Sequence, residues 1–301
     1  MNLRMNIDKL VKVAVIGEIS SPIFPPTPYK ITAFGEPVVL PGVGGIRYNV
    51  RVGDPAVGWM ADHVEPGVSI KNFTSYQNMG GATPNYALNI LACIGNEAIV
   101  VSGEAKGSKG VVIGKHGGIE HVLIDFPENV LEKLVIGDKI LVKAFGLGLK
   151  LLDYPEIRVM NIDPNLLMKI NIKPIDDKLE VPVTHLIPAS IMGSGLGANN
   201  VYRGDYDIQL FDEETRKKYH LDDLRLGDLV AIIDADHTYG RIYRKGAISI
   251  GVVVHTDCVT AGHGPGVTTI MTSSKGKIIP RIDSKANIAY YLNCLLYTSD
   301  A

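Results

Sequence analysis

The chain has 301 residues, of which 46% are hydrophobic and 21% charged, and its formal net charge is −2. This composition predicts a packed protein and excludes a disordered one. The near-neutral charge argues against general nucleic-acid binding, which needs a basic face. No apolar run approaches the ~18–20 residues that span a membrane, and no cleavage signal follows the short apolar patch at 13–16. We therefore expect a cytoplasmic protein without a nucleic-acid or membrane partner.

Three cysteines, Cys93, Cys258 and Cys294, lack the spacing of a disulfide framework or a zinc knuckle. The last of them opens the ending CLLYTSDA, which resembles translated sequencing-adapter read-through. We therefore predict that 294–301 is a non-native tail without functional weight.

Short β-branched runs separated by glycine turns predict a mainly β fold with β-barrel-like halves, and an α+β fold stays open. One clear helix is predicted near 84–94. Thr83 suits its N-cap, Pro84 its first turn and Gly95 its end, with apolar residues at helical spacing between them.

A repeated frame, L-x-x-L-x-x-G-D followed by an apolar run, occurs in Leu131–Phe145 and Leu221–Ala235. It indicates either two β-rich halves or two related strands of one large barrel. The proline-rich stretch at 160–188 is interpreted as a connection on the surface. We predict an N-terminal domain over 1–160 and a C-terminal domain over 161–293.

The stretch at 251–271, GVVVHTDCVTAGHGPGVTTIM, is the best candidate for a site because ligand-type side chains lie in a glycine-rich loop between two strands. His255 and Asp257 would face the same side of a continuing strand, and His263 could fold back over the turn. These three residues suit a divalent metal such as zinc, manganese or iron. Cys258 would be a fourth ligand or a nucleophile, and the alternative is a tight loop without chemistry.

The stretch at 51–69 supplies His63 and Glu65, as a fourth ligand or a general base, or else as part of a solvated turn. If the apolar runs 229–233 and 248–254 form a hairpin, His237 and His255 fall at opposite ends of it. His63 is then the better partner for His255.

An Asn/Gly-rich loop feeds the predicted helix and is a generic anion site, or a simple capped loop. His116 lies among glycines, where a ligand can approach closely, whereas His121 is interpreted as structural. The GSGLG run at 193–197 predicts a turn or lid. The acidic run at 205–214 is balanced by basic residues and is interpreted as a solvated face. The candidate ligand-binding residues are Asn78, Gly80, Gly81, Asn85 and His116.

Three segments, HVEPGVS, SGEAKGSKGVVIGKHGG and HTDCVTAGHGPGVT, together resemble an uncharacterised bacterial and archaeal family. It is classed as a domain of unknown function and has been sampled by structural genomics from thermophiles. The resemblance spans nearly the full chain and implies a mostly β fold in two parts, with no activity attached. A local similarity of GEAKGSKGVVIG to the acetamidase/formamidase family covers about a dozen residues.

The first functional hypothesis is a metal-dependent hydrolase of a small amide or related metabolite, because ligand-type side chains are dense in two glycine-flanked loops. The alternatives are a non-enzymatic protein that binds a small molecule or anion, and a structural or assembly subunit. A homo-oligomer is expected from the modest charge and high apolar content. The distances among His63, His116, His255 and His263 decide between the three functional hypotheses, because metal–ligand bonds are ~2 Å long.

Overall fold

The N-terminal half is built around a closed six-stranded barrel. The structure, a computed structural model, describes residues 3–75 and 83–293. The barrel strands follow the order β1-β4-β7-β6-β5-β8, and β2 pairs with β3 outside it. The strands are β1 (Val13–Ile19), β2 (Lys30–Ile31), β3 (Pro37–Val38), β4 (Val68–Lys71), β5 (Glu97–Val100), β6 (Lys109–His116), β7 (His121–Asp125) and β8 (Lys139–Ala144).

The C-terminal strands form open sheets. A five-stranded sheet has the order β12-β13-β14-β15-β9, and a three-stranded sheet has the order β10-β11-β16. The mainly β prediction is confirmed, with the closed barrel confined to the first half. The strands are β9 (Arg158–Val159), β10 (Lys173–Ile175), β11 (Lys178–Val183), β12 (His185–Pro188), β13 (Leu229–Asp236), β14 (Ile242–Val253), β15 (Val267–Ser273) and β16 (Ile278–Ile282).

Helices are short, and none among the described residues is long and apolar enough to cross a membrane. The predicted helix begins as expected, with the Thr83 hydroxyl accepting from the Tyr86 N–H at 3.1 Å. It ends earlier than predicted because the chain extends at Ala92, and Ile94 then forms a parallel bridge with Ile162. The helices are α1 (Pro84–Leu91), α2 (Glu128–Leu131), α3 (Pro164–Lys169), α4 (Glu213–Lys218) and α5 (Ile288–Leu292), with 3₁₀ turns at Ile7–Lys9, Ala189–Ile191 and Leu221–Asp223.

The stretch at 160–188 is part of the core, so its interpretation as a surface connection is wrong. Leu179, Val181 and Val183 of β11 are buried because this strand pairs with β10 on one side and with β16 on the other. These apolar residues alternate with other residues along the strand, which is the pattern of a strand with one buried face. The same core cluster contains Leu123 of the barrel and Ile250 of the open sheet, so apolar packing joins the two halves.

The repeated frame folds as the same turn in both places. The Asp138 carboxylate accepts from the Val135 N–H at 3.0 Å, and the Asp228 carboxylate accepts from the Arg225 N–H at 2.9 Å. The glycine before each aspartate has φ of 89° and 87°, which is the left-handed region that glycine tolerates best. Each turn starts the strand that follows, β8 or β13, and leaves the two leucines of its frame buried.

Replacing the aspartate of the first turn tests this description. Asp138→Ala removes an acceptor from two donors, the Val135 N–H and the Ser102 hydroxyl. We expect the free energy of unfolding to fall by about 1–3 kcal/mol, the usual cost of leaving buried donors unpaired. Urea denaturation measures this change.

Asp138→Asn keeps one amide oxygen for the turn and should lose less stability than the alanine variant. Glu132→Ala, on an exposed position of the same frame, is the matched control and should leave stability within about 0.5 kcal/mol of wild type. Equal stability of the alanine variants at positions 138 and 132 would contradict the role given to this turn.

Candidate metal centre

Two loops meet through backbone pairing to form the centre. The His63 N–H donates to the Asp257 carbonyl at 3.1 Å, and the Thr256 N–H donates to the Val64 carbonyl at 3.0 Å. The Val64 N–H in turn donates to the Thr256 hydroxyl at 3.0 Å. The segment that carries His63 therefore packs directly against the one that carries His255, which follows the end of β14.

A third segment, 205–208, brings two carboxylates that the sequence interpretation placed on a solvated face. Tyr206 exchanges backbone hydrogen bonds with Val267 at 3.0 and 2.9 Å, and Asp207 does so with the strand-like segment 193–194 at 2.8 and 3.0 Å. Extended backbone points residues two apart to the same side, so Asp205 and Asp207 both face the centre. They are buried, with 7% and 5% exposure, and for them the solvated-face interpretation is wrong.

Glycine allows these segments to approach one another. A Cβ at Gly264 would lie 1.7 Å from the Ile208 carbonyl oxygen, and one at Gly193 would lie 2.1 Å from the Gly262 carbonyl oxygen. No side chain fits at such distances. Close approach therefore explains Gly193 and Gly264, whereas Gly262 has open space around it and a φ of 79°, which glycine tolerates best.

Four imidazole rings converge at the meeting point. The His63 ring centroid lies 5.7 Å from that of His116, 5.2 Å from that of His255 and 5.0 Å from that of His263. The centroids of His116 and His255 are 4.3 Å apart. These separations are small enough for neighbouring rings to bind the same metal ion.

Hydrogen bonds fix the orientation of three of these rings. The Nδ1 atom of His116 lies 2.6 Å from Glu65 Oε1, that of His63 lies 3.1 Å from Asp62 Oδ1, and that of His255 lies 2.8 Å from the Thr256 carbonyl. Each partner oxygen is an acceptor, so Nδ1 carries the proton. In a neutral ring the Nε2 atom then keeps its lone pair, which is the usual arrangement of metal-binding histidines.

The most buried contact lies between His255 and Asp205. His255 Nε2 is 2.7 Å from Asp205 Oδ2, yet neither atom has a hydrogen bond of good geometry among the described residues. Two lone-pair atoms this close need a proton or a cation between them. Burial opposes protonation of this imidazole, but the neighbouring Asp205 and Asp207 raise the pKa of His255 to about 9.

Two sets of side chains could hold a metal ion. One comprises His116, Asp205 and His255, all buried, and the other comprises His63, Cys258 and His263. Within each set the ligand atoms lie within 4.8 Å of one another. Zinc, manganese and iron all accept such nitrogen and oxygen donors.

Asp207 lies between the two sets. Its Oδ2 atom is 3.0 Å from His263 Nδ1 and 3.9 Å from His63 Nε2, and its Oδ1 atom is 3.8 Å from His255 Nε2. The sets therefore form one continuous cluster, joined by a carboxylate that reaches both.

Asp257, predicted to share a face with His255, belongs to neither set. Strand β14 ends at Val253, so the alternation of a continuing strand does not apply after it. The Asp257 carboxylate instead accepts weakly from the Gly58 N–H at 3.4 Å, and burial raises its pKa to about 6.

Glu65 lies behind the cluster. It is fully buried, and it accepts from the Gly44 N–H, the Ser69 hydroxyl and the two imidazoles of His116 and His121. This geometry orients His116. It also gives His121 the structural contact that the sequence indicated.

Cys258 donates from Sγ to Asp62 Oδ1 at 2.9 Å. Burial and the adjacent Asp62 both raise the pKa of this thiol, which is the opposite of the environment that activates a nucleophilic cysteine. His237 hydrogen-bonds Thr269 Oγ1 at 2.7 Å and is in neither set, with β13 and β14 forming the expected antiparallel hairpin.

The predicted anion loop is only partly described. Asn78, Gly80 and Gly81 lie outside the described residues. Asn85 accepts from the Asn72 N–H at 2.9 Å and donates to the Glu120 carbonyl at 3.1 Å. Its side chain thus ties α1 to neighbouring backbone.

A cavity of about 230 Å³ opens onto the cluster. Its lining includes His63, His116, Asp205, Asp207 and His263 of the cluster. It also includes residues of the segment 194–200, which contains part of the GSGLG run, and two arginines, Arg203 and Arg241. The volume suits a small metabolite.

The chain belongs to a known family. The chain is a member of the DUF4438 family, described as a domain of unknown function. Its N-terminal profile matches residues 29–168 and its C-terminal profile matches residues 169–292. This confirms the resemblance drawn from the sequence.

A solved structure from a thermophile, the crystal structure of TM1086, is similar to this chain over 97% of its length and 99% of that chain. The identity is 51% and the TM-score is 0.91. No curated protein matches the chain.

Gly266→Ala tests whether close approach at this point is needed for ion binding. A Cβ there would lie 2.1 Å from Asp205 Oδ2 and 2.2 Å from His255 Nε2, so the methyl group must push the two ligand atoms apart. We expect the affinity for zinc or manganese, measured by titration calorimetry on chelator-stripped protein, to fall at least about tenfold.

Gly251→Ala is the matched control because its Cβ would collide with Val267 Cγ1, at 2.3 Å, away from the ligand atoms. It should lower stability without a comparable loss of ion affinity. Parallel losses of affinity in both variants would contradict a local effect at Gly266.

Proposed function

We propose that this protein is a metal-dependent hydrolase whose substrate is a small amide or a related metabolite. The ion is held by His116, Asp205 and His255. The observation that carries the proposal is the convergence of three buried ligand atoms within 4.8 Å of one another, in which His255 Nε2 and Asp205 Oδ2 lie 2.7 Å apart without a well-formed hydrogen bond. A cation satisfies both atoms at once.

The surroundings of the three ligands support this assignment. His116 and His255 each have Nδ1 bound to an oxygen, from Glu65 and from Thr256, so that Nε2 is free for the ion. Asp205 keeps its Oδ1 atom on the Gly117 N–H at 2.8 Å, which holds the carboxylate in place. Such supporting bonds are what metal ligands in proteins require.

The cavity beside these ligands is where the reaction would take place. A divalent ion held there would supply the nucleophile by lowering the pKa of a bound water, from ~15.7 to ~7 in the case of zinc. His263, partly exposed to the cavity and bound to Asp207, would serve as the proton acceptor. Glu65 is a poorer candidate for this role because its oxygens already accept from four donors.

The amide class rests on the segment similar to acetamidases and formamidases. That segment, at 103–114, runs through the turn before β6 and into the strand itself, and β6 ends at His116. The local similarity thus leads directly to one of the three ligands. Zinc, manganese and iron all remain suitable ions for this ligand set.

Asp205→Asn provides a nearly isosteric test. The amide nitrogen that it introduces can donate to His255 Nε2, so the fold is preserved while a ligand oxygen is lost. We expect the affinity for the ion to fall at least about tenfold. Ammonia release from formamide and acetamide by the metal-loaded protein should fall with it. Elemental analysis and titration calorimetry measure the first effect.

Asp222→Asn, at an exposed carboxylate that pairs with Arg216 and belongs to neither ligand set, is the control and should match wild type in both measurements. Wild-type protein that takes up no zinc, manganese or iron would overturn the proposal. Ion uptake without hydrolysis of any small amide would contradict the hydrolase proposal and would indicate an ion-dependent binding protein.

A further inference from the structure

Arg241 is a buried cation without a carboxylate partner. Its side chain is 3% exposed, and no acidic group lies within ion-pair distance of it among the described residues. Its Nη1 and Nη2 atoms make only long contacts of 3.4 Å, to the carbonyls of Gly195 and Arg203. Its Nε atom has no partner within the described part of the chain.

This environment is costly for a guanidinium. Burial alone lowers the pKa of Arg241, while Asp205, Tyr206 and Asp207 act in the opposite direction from a longer range. If Asp205 binds an ion, its charge is committed to that ion. A charged group buried without compensation is rare unless a ligand completes its site.

The second arginine of the cavity is already occupied. Arg203 lies 3.6 Å from Glu120 Oε1, and its guanidinium stacks over the Tyr86 ring at 4.4 Å from the centroid. Of the two arginines that line the cavity, only Arg241 has no carboxylate within ion-pair distance among the described residues; its guanidinium lies over the Tyr206 ring, 5.7 Å from the centroid, which leaves its N–H donors available. Arg241 lies immediately before β14, where its backbone bonds to Gly197 and Ala198 fix the segment beside the cavity.

The geometry of guanidinium defines the group that would bind. Its planar fork of N–H donors matches the two oxygens of a carboxylate, in a pair of charge-assisted hydrogen bonds. Arg241 lines the same 230 Å³ cavity as His116 and Asp205, so one small molecule in it can contact both the arginine and the proposed ion site.

Building on the hydrolase proposed above, we propose that Arg241 binds a carboxylate of the substrate, so that the protein acts on small amides that carry a free carboxylate. The carboxylate is held at Arg241 while the amide carbonyl faces His116, Asp205 and His255. The anion site predicted from sequence lay elsewhere, in the loop before α1.

Two probes that differ only in charge test this assignment. N-acetylglycine carries an amide and a carboxylate, whereas N-acetylglycinamide is its neutral counterpart. On the metal-loaded protein, titration calorimetry should show the first probe binding at least about tenfold tighter, a difference of about 1.4 kcal/mol. Arg241→Met should abolish this preference, while its affinity for the ion stays at the wild-type value.

Arg244→Met is the matched control. Arg244 lies in β14, three residues after Arg241, and it is exposed and paired with Asp236. This variant should keep the preference for N-acetylglycine. Arg241→Lys retains the charge without the planar fork and should lose most of the preference, which covers the case in which the methionine variant does not fold.

Equal binding of the two probes by wild type, or a preference that survives in both Arg241 variants, would overturn the assignment. Inorganic phosphate forms the third arm. Tight phosphate binding that depends on Arg241, without a preference for N-acetylglycine, would replace the carboxylate by a phosphate. Failure of the protein to bind the ion at all would overturn the proposed hydrolase function. Elemental analysis measures the metal content independently of probe binding.

Discussion

A buried imidazole nitrogen and a buried carboxylate oxygen, His255 Nε2 and Asp205 Oδ2, lie 2.7 Å apart at the meeting point of the barrel and the open sheet. Much of the surrounding structure serves to hold them there. His255 follows a central strand of the five-stranded sheet, and Asp205 lies on a segment fixed by backbone pairing on both sides. His116 joins them from the end of a barrel strand. Without a proton or cation at this point, the arrangement would be unfavourable.

The rest of the cluster follows from that constraint. Glycines at 264 and 266 are required because side chains there would displace the backbone of 208 or the two ligand atoms themselves. Glu65 is required behind His116, where it fixes the ring and is in turn held by four donors. Glu65 and its donors are thereby paired, as the energetics of buried charge demand. Arg241, which lines the cavity, has no carboxylate within ion-pair distance among the described residues, and its Nε atom has no hydrogen-bond partner there.

How much of this could be predicted from the sequence differs from residue to residue. The strong local signals were sufficient for the start of α1 and for the strand that follows each copy of the repeated frame, β8 and β13. The predicted hairpin of β13 and β14 is observed, and it places His237 and His255 at opposite ends. The loop of His63, not His237, packs against the segment of His255. Asp205 and Asp207 were missed because nearby basic residues balance them in composition. Their alternation around Tyr206 was the available signal for an extended, two-faced segment. Asp257 was included because strand geometry was extended past the point where β14 ends.

Anomalous diffraction from crystals of the zinc-loaded protein, recorded on both sides of the zinc absorption edge, tests the central claim most directly. We predict a peak within about 2.0–2.2 Å of the free Nε2 atoms of His116 and His255 and of a carboxylate oxygen of Asp205. A second peak near His63 and His263 would be consistent with the neighbouring set. An absence of any peak at His255 and Asp205, in protein shown to be folded and exposed to excess zinc, would contradict the account.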